Sequence, residues 1–374
     1  MRVTILKENF LKGLNIVSRA TSKSFTLPVL NNILLTGEKN FLKLSGTDLE
    51  VGIKYWILAK IEKEGSITVP AKFLINLITL APEEKISLEV KKDTLFIEGK
   101  NYKNQVKGLK AEDFPIIPEV SKENSVDISG EDLSEGLDQL VNIASPSQTR
   151  PEISGICFCL SKKEIEMAAT DSFRLAEKKV SLLKPAEEKR TLIVLQKTAR
   201  ELINIFGENS SRVIMYFNPN QVMFESEMKE TSHPKVQIIS RLIEGEYPNY
   251  KEIIPQDFKS ESTLKKQELL NQIKTASLFS GKINEVRIKV NPKKEALEVF
   301  AQNPDLGQST SQIKGKIKGE ETEVSFNYRF LIDGLSNIKG KEVMFGLNGE
   351  EGPGVLRSIE NDNYIYVVMP VKNS

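Results

Sequence analysis

Short runs in which apolar and polar residues alternate recur along the chain, as in VMFESEM (222–228) and SLEVKKDTLFIEG (87–99), and they predict strands with one buried face. Between them lie segments whose apolar residues return every three or four positions, which predicts helices. At about 100° per residue, Phe10, Leu14 and Val17 share a narrow arc, with Lys12, Arg19 and Lys23 on the opposite side. A second helix carries Leu74, Leu77, Ile78 and Ala81 as its stripe and Lys72 opposite. Further on, Lys197 and Arg200 stand away from Leu202 and Phe206, as Arg329 stands away from Leu331 and Leu335. The helix predicted over 129–145 differs, burying Leu133, Leu137 and Leu140 while exposing Glu135 and Asp138.

These elements repeat. LKLSGTDLEVGI (42–53) parallels IEMAATDSFRLA (165–176), and TVPAKFLINLI (68–78) parallels IVLQKTARELI (193–203). A third copy places EVFAQNPDLG (298–307) opposite the Thr-Asp turn and SFNYRFLIDGL (325–335) opposite the second helix; one offset carries both Asp171 onto Asn303 and Lys197 onto Arg329. Polar, Pro-containing joints (113–125 and 246–260) separate the copies. The expected organisation is therefore three domains, 1–122, 126–255 and 258–374, each an α+β unit of two helices packed on antiparallel sheets.

At 374 residues the length suits two or three such cores. Lys and Arg number 52 against 51 Asp and Glu, a net charge of +1, so bulk charge announces no nucleic-acid partner, yet a balanced total can hide one basic face. Three repeats set side by side with their sheets outward would bring the helices and their cations into one concave lining, which suits phosphate backbones without reading bases. The start, MRVTILKENF, lacks the apolar core of a signal peptide, and no run approaches the roughly 18 apolar residues of a spanning helix. No membrane is expected, and the expected compartment is cytoplasmic.

Candidate chemistry is sparse. One histidine, His233, gives no material for a His triad or a multi-His metal site, and neither GxGxxG nor GxxxxGK[ST] occurs. GEEGPGVL (349–356) reads as a hairpin loop, its acids unsuited to phosphate. Cys157 and Cys159, the only cysteines, sit two apart on a strand and share one face as small core residues of a reducing compartment. Asp171, in MAATDSFRLAEKKV (167–180), invites a catalytic reading, an ion pair with Arg174, or a turn. Its counterparts Asp48 and Asn303 favour the turn, because an amide can cap a turn but cannot replace a catalytic carboxylate. No enzyme, cofactor or metal is expected.

With the repeats, the Thr-Asp turns, TLPVLNNILL, RPEISGICF, YPNYKEIIP and the C-terminal YVVMP in view, the chain resembles the bacterial sliding clamps, the β subunits of DNA polymerase III, along its whole length. The resemblance implies three clamp domains per chain and a head-to-tail homodimer closed into a six-domain ring. That ring encircles double-stranded DNA and confers processivity on the replicative polymerase without catalysis. It also implies the clamp loader as a partner, with repair polymerases and mismatch-repair proteins docking through short peptide motifs. Carried over by motif, the peptide site takes Thr170, Ser172, Phe173, Arg174 and Leu175, then Pro248 and Ile253, then Val367, Val368, Met369, Pro370 and Val371. Leu175, Val368 and Met369 would form an adaptable apolar pocket, with Arg174 orienting the peptide. DNA contact falls to Lys12, Arg19, Lys23, Lys72, Lys197, Arg200 and Arg329. Ser172-Phe173 stands where many relatives carry Gly-His, Glu252 at a joint position that is often basic, and Ser24 where an arginine is expected beside Lys23. A clamp-fold paralogue that scaffolds repair proteins is the alternative.

Overall fold

The element order recurs three times in a computed structural model that describes residues 1–144, 147, 149–207 and 212–371. The first occurrence is β1 (Arg2–Leu6), α1 (Lys7–Val17), β2 (Asn32–Glu38), β3 (Phe41–Thr47), β4 (Val51–Leu58), β5 (Lys60–Lys63), β6 (Gly65–Pro70), α2 (Ala71–Leu80), β7 (Lys85–Lys91), β8 (Thr94–Glu98) and β9 (Lys103–Lys107). The second is β10 (Ser125–Ile128), α3 (Gly130–Leu140), β11 (Gly155–Leu160), β12 (Glu164–Thr170), β13 (Arg174–Ser181), β14 (Arg190–Leu195), α4 (Gln196–Phe206), β15 (Val213–Phe217), β16 (Gln221–Glu227) and β17 (Pro234–Arg241). The third is β18 (Ser260–Lys265), α5 (Lys266–Ser277), β19 (Glu285–Asn291), β20 (Ala296–Asn303), β21 (Gly307–Lys314), β22 (Lys316–Gly319), β23 (Thr322–Asn327), α6 (Tyr328–Asn337), β24 (Glu342–Leu347), β25 (Gly354–Ser358) and β26 (Tyr364–Val368).

The chain forms two compact units, one of residues 1–135, 181–187 and 197–244, the other of 136–180, 188–196 and 245–374. In the first unit a five-stranded sheet runs β5-β1-β7-β8-β9 and an eight-stranded sheet runs β10-β15-β16-β17-β4-β3-β2-β6. The second holds a nine-stranded sheet, β14-β11-β12-β13-β26-β25-β24-β18-β22, and a four-stranded one, β21-β20-β19-β23. The large sheets are thus continuous from one repeat into the next. β17 pairs with β4 (Ile238 opposite Ile53), and β26 pairs with β13 (Tyr366 opposite Ala176). Main-chain ladders rather than side-chain contact alone fasten the repeats.

Helix faces follow the apolar period. Phe10, Leu14 and Val17 are fully buried, each contributing about 1.5–3 kcal/mol by burial. Gly13 lets α1 approach its sheet, since a Cβ there would stand 2.7 Å from the Leu44 side chain and 2.9 Å from Tyr55. In α2, Leu74 and Ile78 are buried, as is Ala81 beyond its end, whereas Leu77 is only half-buried. α3 buries Leu133, Leu137 and Leu140 and exposes Asp138 as expected, with Glu135 half-buried, but it ends at Leu140 rather than 145. α6 is capped by Asn327, whose side chain accepts from the Arg329 amide at 3.0 Å, a cap worth about 1 kcal/mol.

The joints pack as structural pieces. In the first unit Phe114, Ile117 and Val120 cluster with Ile214, Tyr216, Met223 and Ile239. In the second, Tyr250, with Tyr247, Ile254 and Phe258 beside it, clusters with Cys157, Ala168, Leu175, Val355 and Val367. The tail beyond Val371 lies outside the described residues.

Candidate peptide cleft and basic helix faces

The Thr-Asp turns are one structure built twice. Thr47 donates its hydroxyl to the Val51 carbonyl (3.0 Å) and accepts the Leu49 amide, while Asp48 Oδ1 accepts the amides of Glu50 (3.1 Å) and Val51 (2.8 Å). Thr170 donates to the Arg174 carbonyl (2.8 Å) and accepts from Ser172, and Asp171 Oδ1 accepts Phe173 (3.0 Å) and Arg174 (2.9 Å). Leu49 and Ser172 occupy the same left-handed backbone position, at φ 80° and 75°. Asn303 makes the corresponding Asx contact to the Asp305 amide at 2.9 Å. The second oxygen of Asp171 accepts from Arg174 Nε at 3.0 Å, so the whole carboxylate is spent on the turn.

Strand pairing decides which side chains can meet a peptide. Leu175 lies opposite Val367 and Arg174 opposite Val368, and cross-strand partners share a face while successive residues alternate. Leu175 and Val368 therefore point to opposite sides of the sheet and cannot line one pocket, which corrects the expected trio with Met369. Leu175 and Val367, 3% and 1% exposed, lie under the joint with Tyr247, Tyr250 and Ile254. Val368 is fully buried on the other face. Phe173 and Ile253 are exposed, and Pro248 and Met369 are half-buried. The Met369 amide donates to the Phe173 carbonyl at 2.8 Å, continuing the β13–β26 ladder one step past Val368. Burial, and then the Glu177 carboxylate, push the Tyr250 phenol well above its ordinary value.

Arg174, expected to orient the peptide, is already engaged, and the ion pair with Asp171 is present. Its side chain is 11% exposed and reaches Asp171 Oδ2, Asp333 Oδ2 at 2.5 Å and the Asn142 carbonyl at 3.1 Å, with the Phe330 ring 4.7 Å away. It is therefore occupied inside the second unit. Pro370 and Val371 leave the ladder as well; the Val371 amide donates to the Ser325 carbonyl, and both residues line a polar cavity of about 540 Å³ with Arg287, Glu323, Glu350 and Glu351. Of the motif residues, Leu175 and Val367 lie together under the joint, and Phe173 and Met369 meet through the ladder. Thr170 and Ser172 build the turn.

The cations divide similarly. Lys12 and Lys72 are exposed on α1 and α2, and Arg329 is exposed in the first turn of α6, 6.0 Å from the Tyr328 ring. Arg19 and Lys23 are off the helix, because α1 stops at Val17. Arg19 follows in a short 3-10 turn, 3.7 Å from Glu201, and Lys23 is exposed in the loop beyond. Lys197 is half-buried and forms an ion pair with Asp48, so it is a tie between two repeats' elements rather than an open cation. Arg200 is exposed on α4. Glu201, buried on the same helix, has its carboxyl pushed up by burial.

His233 stacks on Phe41 with ring centroids 4.1 Å apart and lies in the loop before β17. Among the described residues there is no group of three or more His, Cys, Asp or Glu that could hold a metal ion, and no helix is long and apolar enough to cross a membrane.

Three family models match in succession: the N-terminal domain of the DNA polymerase III beta subunit over residues 1–118, its central domain over 127–249 and its C-terminal domain over 251–372. Over its full length the chain is 28% identical to the beta sliding clamp of Bacillus subtilis and 27% identical to that of Staphylococcus aureus, covering 100% and 99% of those proteins. It is similar in structure to the DNA polymerase sliding clamp of Bacillus subtilis, with a TM-score of 0.94 at 27% identity. It is also similar to the DnaN sliding clamp of Pseudomonas aeruginosa bound to griselimycin, with a TM-score of 0.92 at 25% identity; both comparisons cover all of both chains.

Proposed function

The chain belongs to the DNA polymerase III beta subunit family and is a DNA sliding clamp of replication; from its strand edges we propose that two copies close head to tail into a ring around duplex DNA. The carrying observation is a pair of unsatisfied ladders. β17 pairs with β4 and β26 with β13, so the last strand of a repeat joins the fourth strand of the one before it. β9 is the equivalent last strand of the first repeat and β21 the equivalent strand of the third, and each stands at a sheet edge. An open row of N–H and C=O groups is a template for another strand. β9 of one copy on β21 of a second repeats the junction already used twice within the chain, and two such junctions close the assembly.

Such a ring needs no chemistry of its own, and topological trapping needs only weak, sequence-neutral contact. Lys12, Lys23, Lys72, Arg200 and Arg329 supply that contact to DNA phosphates, with Arg19 contributing beside Glu201. The floor of Leu175 and Val367, rimmed by Phe173, Pro248, Ile253 and Met369, receives a short extended peptide of the polymerase, and the clamp loader and repair proteins use the same groove. The griselimycin-bound Pseudomonas clamp shows that a clamp of this fold accepts a ligand. We place the protein in the cytoplasm, with the bacterial replication machinery. Sedimentation tests the ring: the intact protein runs as a dimer, and Gln105→Pro in β9 or Ser311→Pro in β21, alone, yields monomers of unchanged secondary structure. A stable wild-type monomer overturns the reading.

A further inference from the structure

We propose that the first unit carries a binding site for a nucleoside polyphosphate, in the cavity of about 660 Å³ bounded by α1, the end of α4, and β15 to β17. Three ammonium groups reach it from separate elements: Lys12 from α1, Lys229 from the loop between β16 and β17, and Lys235 from β17. Two other charges in its wall are already engaged. Arg212 holds Asp127 at 2.6 Å, and Glu225 is held by Lys122 at 2.8 Å and by Gln237 at 2.6 Å. Glu227, exposed at the rim, is the opposing carboxylate, so cations prevail around the opening.

Lys235 feels the other two lysines. Burial lowers the Lys235 pKa, Lys12 and Lys229 lower it further, and Glu230 only partly opposes them. Like charges gathered in a concave, partly desolvated place raise the energy of the empty protein, and a polyanion relieves that repulsion as it binds. Part of the wall is apolar: half-buried Ile16 and Ile205, over the buried Phe206 and Ile214, form a surface that phosphate alone leaves unsatisfied. The convex backbone of a duplex meets the lysine tips but leaves this apolar wall uncovered. A small molecule with clustered phosphates and a flat, largely apolar base covers both.

The test uses the full chain, titrated calorimetrically with adenosine 5′-triphosphate, inorganic tripolyphosphate and adenosine, with a short duplex as competitor. The triphosphate binds at one site per chain, at least tenfold tighter than tripolyphosphate and more than a hundredfold tighter than adenosine, and the duplex, which shares only Lys12 with the site, weakens it without fully displacing it. Lys12→Ala with Lys235→Ala weakens the triphosphate at least tenfold, with the thermal midpoint confirming that the variant is folded. Ile205→Asn removes the preference for the triphosphate over tripolyphosphate. Absence of saturable triphosphate binding, binding indifferent to the lysine pair, tripolyphosphate binding as tightly as the nucleotide, or full displacement by duplex each overturns the site.

Discussion

Arg174 on β13 and Asp333 on α6 meet at 2.5 Å, which ties the strand that follows the Thr-Asp turn to a helix of the third repeat. The guanidinium is 11% exposed and also serves Asp171 and the Asn142 carbonyl, whereas Asp333 is half-exposed. Loss of the arginine strands several acceptors at once; loss of Asp333 lets its neighbours turn to water. Arg174→Ala is expected to lower stability by about 2 kcal/mol, and Asp333→Asn by under about 1 kcal/mol. Urea unfolding checks both, and equal costs for the two would remove Arg174 from its role as a hub.

The same parity separates two kinds of groove residue. Leu175→Ala opens a cavity in a packed cluster and should cost about 2–5 kcal/mol of stability. Met369, half-buried at the rim, has less to lose, so Met369→Ala should leave unfolding within about 0.5 kcal/mol of wild type and weaken a polymerase-derived peptide at least tenfold. Fluorescence anisotropy with that peptide decides it; unchanged affinity on Met369→Ala would put the groove elsewhere.

The repeat, its two helices and the Asp turn were legible because they depend on local period and local hydrogen bonds. Phe10, Leu14 and Val17 announce their face, and Asp48, Asp171 and Asn303 bond to amides two or three residues away. What stayed hidden depends on partners distant in sequence. Whether Leu175 or Arg174 shares a face with Val368 is fixed by the β13–β26 register, and Lys197 reads as open until Asp48 is beside it. The helical period also ran past Val17 to Arg19 and Lys23, although Ser18 caps back onto the Asn15 carbonyl at 3.0 Å as the helix gives way to a 3-10 turn. Asn327 before Tyr328 was a readable cap signal that amphipathicity alone did not use.

Charge reversal should therefore sort the cations. Lys72→Glu with Arg329→Glu keeps the fold and shortens retention on circular DNA, most at low salt, with the difference from wild type narrowing as salt rises. Lys197→Glu places a carboxylate against Asp48 and shows first as lost stability, on the order of 1–3 kcal/mol. Retention half-lives and unfolding midpoints separate the two; unaltered retention for the double variant would leave DNA contact to other residues.

Ser172 stands at φ 75°, a left-handed position that glycine adopts without strain. Its side chain takes one long contact, 3.3 Å from Arg150. Ser172→Gly should stabilise the protein by up to about 1 kcal/mol and leave the β13–β26 ladder intact, so peptide affinity should hold. A destabilised variant would mean that the Arg150 contact outweighs the backbone strain.

The thiols of Cys157 and Cys159 lie 3.4 Å apart on β11. The hydrogen bond from Cys157 favours a thiolate at Cys159, Thr191 and Lys251 support it against burial and Glu166, and the Cys159 pKa is pulled down to about 7 from 9.0. The same bond, with burial, pushes Cys157 well above its ordinary value. Between pH 7 and 9 the unfolded chain, with both thiols protonated, holds more protons than the folded one, so stability from Cys159 grows with pH across that window and is lost as pH falls through 7. Above 9 the proton retained on Cys157 reverses the slope. Urea midpoints from pH 6 to 10 should thus rise and then fall for the wild type and lose the rise in Cys159→Ser, with iodoacetamide reacting at Cys159 along a profile centred near 7. Parallel curves for wild type and variant would show that the two thiols titrate independently.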